Sequence, residues 1–172
     1  MPVSRLSVRR RRCTIPMLLL VLCGAGSALA DGIDTLQLRD QFGAVDSLAA
    51  HRGAVVVAVV VDVRRLSTIQ RWGEELGGRY PALHFLNIAE MPAEGPVDMV
   101  RVTATLQKRV PATVPVLIDI ERRWATSHRL DTAAPNLLVF DREGRLAGQL
   151  RGRFSAERAA AITPVIDRLL AQ

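Results

Sequence analysis

The sequence predicts an α/β domain of three layers: a mixed sheet with helices on both faces and a hairpin at its N-terminal edge. Three observations carry that prediction. Val55–Val61 is an unbroken apolar, β-branched run, the composition a central strand needs when both its faces are covered. A helix-spaced segment ending at Gly77-Gly78 then leads into a second apolar run, Leu83–Ile88. A strand–helix–strand unit of that length implies a parallel pair joined by a right-handed crossover. Asn136–Phe140 and Arg145–Leu150 flank the turn Asp141-Arg142-Glu143-Gly144 and precede a last helix, which reads as a hairpin closing the sheet.

Taken in chain order, residues 1–30 stand apart from the fold. Arg5 and Arg9–Arg12 form a cationic region without an acidic residue, Ile15–Cys23 an apolar core, and Ser27-Ala28-Leu29-Ala30 a small-x-small ending. This is the pattern of a secretory signal cleaved after Ala30, leaving 31–172 as one domain. Gly24 and Gly26 interrupt the apolar run well short of the roughly 20 residues a membrane span requires. Arg11-Arg12 leaves general secretion and the twin-arginine route both open, and Leu22 before Cys23 departs from a lipobox.

Leu36–Asp40 and Ala44–Leu48 flank Gly43 as the N-terminal hairpin. After the Val55–Val61 strand, Ser67-Thr68-Ile69-Gln70 reads as a capping box, with Ser67 at the N-cap and Gln70 reaching back. Ala89–Pro96 is a loop that could meet a partner, and Val97–Val110 a helix despite its β-branched residues. Val114–Ile118 is a strand ending in Asp119, and Glu121–Arg129 a short helix. Ser155 caps the final helix, whose Ile162, Ile166, Leu169 and Leu170 face the sheet; Pro164 should kink or split it. Trp72 and Trp124 read as packing residues.

Charge and cysteine usage narrow the function. The whole chain has 23 basic and 17 acidic residues, but five basic residues lie in the first thirty, so residues 31–172 are nearly neutral. Their basic residues are scattered without aromatic interleaving, which argues against nucleic acid as a partner. Both cysteines, Cys13 and Cys23, belong to the leader. A chain cleaved there carries no thiol, no disulfide and no thiolate metal ligand. It would also have no stable membrane insertion.

The segments "LQLRDQFGAVDSLAAHRGAVVVAVVV", "VPVLIDIERRWATSHRL" and "PNLLVFDREGRLAGQLRG" resemble the thioredoxin-like superfamily, in its secreted redoxin branch of thiol–disulfide oxidoreductases and peroxiredoxins. A further resemblance is to the periplasmic YtfJ family. The resemblance implies a thioredoxin-like fold and a cis-proline at Pro135. It also implies a Cys-x-x-Cys near Arg64-Arg65-Leu66-Ser67-Thr68, and here Arg65 and Thr68 take the two cysteine places. Thiol–disulfide exchange needs a thiolate, and neither side chain supplies one.

Several residues remain as candidates. Arg64 and Arg65, with the amides of Ser67 and Thr68, could form an anion site, or the arginines could be plain solvated surface. Asp62, Asp119 and Asp141 each close a strand, as turn residues often do. If their strands are parallel, Asp62 and Asp119 share a sheet edge and could pair as carboxylates or hold a hard metal. His51, His84 and His128 show no metal-ligand spacing, so no metal and no cofactor is expected. The sequence therefore points to a periplasmic or secreted thioredoxin-like domain without redox cysteines. Its expected role is a non-catalytic binding or accessory protein of the cell envelope, with an envelope protein or an anionic ligand as partner. The alternative is a redoxin-family antioxidant or thiol–disulfide oxidoreductase whose sulfur comes from a partner.

Overall fold

The computed structural model describes residues 35–91 and 96–172; the leader, its cleavage point and residues 92–95 lie outside them, and the expected 89–96 loop starts later, because Ala89 and Glu90 continue a strand. Seven strands form one mixed sheet: β1 (Leu38–Asp40), β2 (Val45–Asp46), β3 (Val56–Asp62), β4 (His84–Glu90), β5 (Leu117–Asp119), β6 (Asn136–Phe140) and β7 (Leu146–Arg151). Their order across the sheet is β2-β1-β5-β4-β3-β6-β7, with β3, β4 and β5 parallel and the remaining pairings antiparallel. Four α-helices join them: α1 (Ser67–Trp72), α2 (Met99–Arg109), α3 (Arg123–His128) and α4 (Ala156–Leu170).

The predicted order of strands and helices is the observed one. Strand β3 is central because its sequence suits no other place. Val57, Val59 and Val61 enter one core with Ile69, Trp72 and Leu76 and with Ile162 and Ile166 of α4. Val56, Ala58 and Val60 enter the other, under Trp124, Ala125 and Leu130. Each fully buried valine contributes about 1.5–3 kcal/mol, so a run apolar on both faces stabilises only this position. Trp72 and Trp124 are both buried to 1 % exposure, one in each core, so neither is available as a ligand platform. The N-terminal hairpin forms around Gly43, whose φ of +88° glycine adopts without a Cβ clash.

Three expectations need correction. Ser67 is not an N-cap. The chain leaves β3 through a 3₁₀ turn, Val63–Arg65, capped by Asp62, whose Oδ1 accepts from the Arg64 amide at 2.8 Å. The backbone is already helical at Leu66, so Ser67 lies inside α1, and Gln70 Nε2 donates forward to Glu74 Oε1 at 2.8 Å. A π-turn over Gly73–Gly77 then extends the helical segment.

Pro164 does not split the last helix, which runs unbroken from Ala156 to Leu170. Pro164 and Ala160, whose carbonyl loses its amide donor, are both exposed, so water can satisfy the freed oxygen.

Third, the Ala134–Pro135 bond is trans, as is every peptide bond among the described residues. Asn136 Nδ2 donates to the carbonyls of Ala134 and Asp131 at 3.0 and 3.1 Å, an arrangement that leaves the usual trans preference in force.

Candidate functional site

The residues singled out in sequence converge on the C-terminal end of β3. The 3₁₀ turn there throws Arg64 to the surface and leaves Arg65 half-buried, with Ser67 exposed and Thr68 buried. Thr68 therefore packs inward and offers little to a ligand. Arg64 grips Asp62 through Nε and Nη2, at 2.8 and 2.7 Å. That hydrogen bond holds the Asp62 carboxyl below its ordinary range and raises the Arg64 guanidinium. The pair occupies two of the five guanidinium donors and leaves the others to solvent.

Arg65 turns toward the strand on the other side. Its Nη1 donates to the carbonyl of Ala133, in the segment leading to Pro135. Two more arginines hold the same segment: Arg122 Nη2 donates to Thr132 Oγ1 at 2.6 Å, and Arg151 pairs with the Asp131 carboxylate. The loop before Pro135 is thus fastened by guanidinium groups from the turn after β3, the start of α3 and β7. Sequence reading found Arg64 and Arg65. It missed Arg122 and Arg151, because only the sheet order brings them beside residues 131–133.

Below the arginines lies a row of acids. Asp62 is in register with Glu90, and Glu90 with Asp119, at the ends of three adjacent parallel strands. Asp62 and Asp119 do share an edge, but β4 separates them. Asp119 is fully buried and is consumed by the start of α3, accepting from the amides of Arg123 and Trp124 at 3.0 and 2.8 Å. With Asp62 committed to Arg64, the two aspartates do not act as a carboxylate pair.

Glu90, between them, was not legible as a site residue. It is 2 % exposed, and neither carboxylate oxygen has a hydrogen-bond partner. Burial pushes its pKa up, opposed in part by Thr132 and by the Arg122 guanidinium, 3.7 Å from Oε2. Arg122 reaches it from a left-handed backbone, φ +55°. Asn136 Oδ1, on β6, is likewise buried without a partner. Among the described residues, no group of three or more His, Cys, Asp or Glu is placed to hold a metal ion. A groove of about 400 Å³ lies further along the first helix, lined by Ile69, Gly73, Phe85 and Val114 among others, and none of the corner's arginines reaches it.

No known family model matches the chain, and no curated protein does. Solved structures do. A protein described as the thiol:disulfide interchange protein DsbE of Chlorobium tepidum superposes with a TM-score of 0.60 at 20 % identity, over 78 % of this chain and 92 % of its own. The exposed lipoprotein thioredoxin of Streptococcus pneumoniae also gives 0.60, at 15 % identity over 77 % and 98 %. Peroxiredoxin Q of Xanthomonas campestris gives 0.59 at 12 % identity over 81 % and 95 %. The fold is therefore thioredoxin-like. Among the described residues there is no cysteine, and no helix is long and apolar enough to cross a membrane.

Proposed function

We propose that this chain is a thioredoxin-like binding or accessory protein of the cell envelope that works without redox chemistry of its own. One observation carries the reading. At the turn where the resemblance would place two cysteines stand Arg65 and Thr68, and Arg65 donates through one nitrogen, Nη1, to the Ala133 carbonyl near Pro135. A hydrogen-bonded guanidinium and a buried hydroxyl cannot attack a disulfide. What the corner offers is positive charge on a firm support. Arg64 and Arg65 present spare donors beside the exposed Ser67, a combination suited to a carboxylate or phosphate. An anionic segment of an envelope protein is the ligand this chemistry fits. Export through the leader, and the envelope location, rest on the sequence pattern of residues 1–30.

The test separates binding from catalysis. Dithiol-driven reduction of insulin is measured with the full chain and with a Cys13→Ser/Cys23→Ser variant. Neither should exceed the uncatalysed rate. Turnover by the variant would overturn the reading, because only non-thiol groups would remain to produce it.

A further inference from the structure

The three histidines look unrelated in sequence, yet the fold brings two of them together. His84 opens β4 and is exposed. His51 ends the 3₁₀ turn Leu48–His51, which carries the chain from the edge strand β2 to the central β3. Their Nδ1 atoms face each other at 3.2 Å. On its far side, His51 Nε2 lies 2.9 Å from both oxygens of Asp46. The pair sits at the start of β4, whereas the arginine corner lies at the strand ends.

The protonation pattern follows from the donors. A carboxylate only accepts, so a hydrogen sits on His51 Nε2, and in the neutral form of that ring Nδ1 is a lone pair aimed at His84. That is the arrangement of a metal-ligating histidine, its outer nitrogen tied to a carboxylate that fixes tautomer and ring orientation. The spacing also agrees. Two imidazole nitrogens at about 2.05 Å from one tetrahedral ion stand about 3.3 Å apart, with ring centroids about 5.2 Å apart. Here the centroids are 5.1 Å apart, at an interplanar angle of 55°.

We infer that His51 and His84 form a surface site for a borderline divalent transition metal, Zn(II) or its neighbours, with Asp46 as the outer-sphere anchor. Both ligands would bind through Nδ1, and water would fill the other positions. His84, which donates its Nδ1 hydrogen to His51 in the metal-free pair, carries that hydrogen on Nε2 when metal is bound. The exchange of tautomer releases no net proton. Thiolate-bound metal would confuse a titration, so the measurement uses the full chain without a histidine tag, in the Cys13→Ser/Cys23→Ser background.

Titration calorimetry with Zn(II) should give one site per chain. His51→Gln and His84→Gln should each weaken it at least about tenfold, and Asp46→Asn by about 10–100-fold. His128→Gln, which removes a histidine elsewhere, should leave it unchanged. Far-UV dichroism of each variant excludes misfolding as the cause, and exposed His84 is the substitution the fold tolerates most easily. In parallel, imidazole resonances of His51 and His84 should shift with Zn(II) while those of His128 do not. The inference is overturned if the parent binds no Zn(II), if either single variant keeps the parent affinity, or if His128→Gln loses as much.

Discussion

Replacing Arg122 by alanine should destabilise the protein in a way that depends on Glu90 and on pH. The two groups are 3.7 Å apart, with Glu90 at 2 % exposure and the Arg122 side chain at 39 %. At an effective dielectric of about 20, that separation corresponds to about 4.5 kcal/mol of attraction. Solvent around the exposed half of the guanidinium reduces it to about 1–3 kcal/mol. The bond from Arg122 to Thr132 adds a separate loss of about 0.5–1.5 kcal/mol.

The two losses are separable. In a cycle of Arg122→Ala, Glu90→Gln and the double variant, followed by urea unfolding, the coupling energy should be about 1–3 kcal/mol. Burial raises the native pKa of Glu90 above its unfolded value. That shift favours the native state in acid, and the stability it supplies is lost as pH rises through the native pKa. Arg122 limits the loss, and only where Glu90 is ionised. The gap between wild type and Arg122→Ala should therefore be widest at neutral pH and narrow, as pH falls through the native pKa, to the part owed to the Thr132 bond. A gap that is constant with pH, or a coupling near zero, would show that Arg122 does not neutralise Glu90.

Two further predictions concern the scaffold. Pro164→Ala should raise stability by about 1–3 kcal/mol in urea unfolding, since an interior proline costs a helix about 3 kcal/mol and part is recovered from the unfolded chain. Lower stability would mean that the Ala160 carbonyl already has a partner alanine cannot improve on. Gly152→Ala should lower the melting temperature, with a cost of about 1–3 kcal/mol, because φ is +124°, a backbone conformation L side chains rarely adopt; the Arg158 guanidinium 2.9 Å from the new Cβ ends a flexible side chain and can move aside. An unchanged melting temperature would indicate that the β7 end relaxes freely.

The fold was legible because hydrophobic pattern and turn chemistry agree along most of the chain. Val55–Val61 could only be a covered strand, and Ser155 does cap the last helix, accepting from the Arg158 amide at 3.3 Å. Local signals misled where a neighbouring residue competed for the same role. Asp62 caps the turn after β3, five residues before Ser67, and leaves Ser67 nothing to cap. The site was legible only in part. Arg64 and Arg65 stand out at a strand–helix junction, but their partners depend on strand order. Ala133 is 68 residues from Arg65 in sequence and one hydrogen bond away in space. Glu90 reads in sequence as part of the 89–96 loop, and only strand pairing carries it to the end of β4, between Asp62 and Asp119 and beside Arg122. The His51–His84 contact likewise joins residues 33 apart that no spacing rule connects.

On the proposed function, the corner after β3 binds anions where a thiol–disulfide oxidoreductase would carry a dithiol. Titrating an acidic peptide and inorganic phosphate into wild type and into Arg64→Ala/Arg65→Ala, at low and at high salt, tests it most directly. Wild type should bind, and binding should weaken with salt, since screening acts over about 8 Å at physiological ionic strength. The double variant should bind markedly less, with a melting temperature lowered only slightly: the exposed Arg64–Asp62 pair adds little to stability, and the bond from half-buried Arg65 to the Ala133 carbonyl is worth about 0.5–1.5 kcal/mol. Equal binding by the two proteins, or no binding by either, would show that the corner is not an anion site, with Arg64 a solvated surface residue and Arg65 a tie to the Ala133 segment.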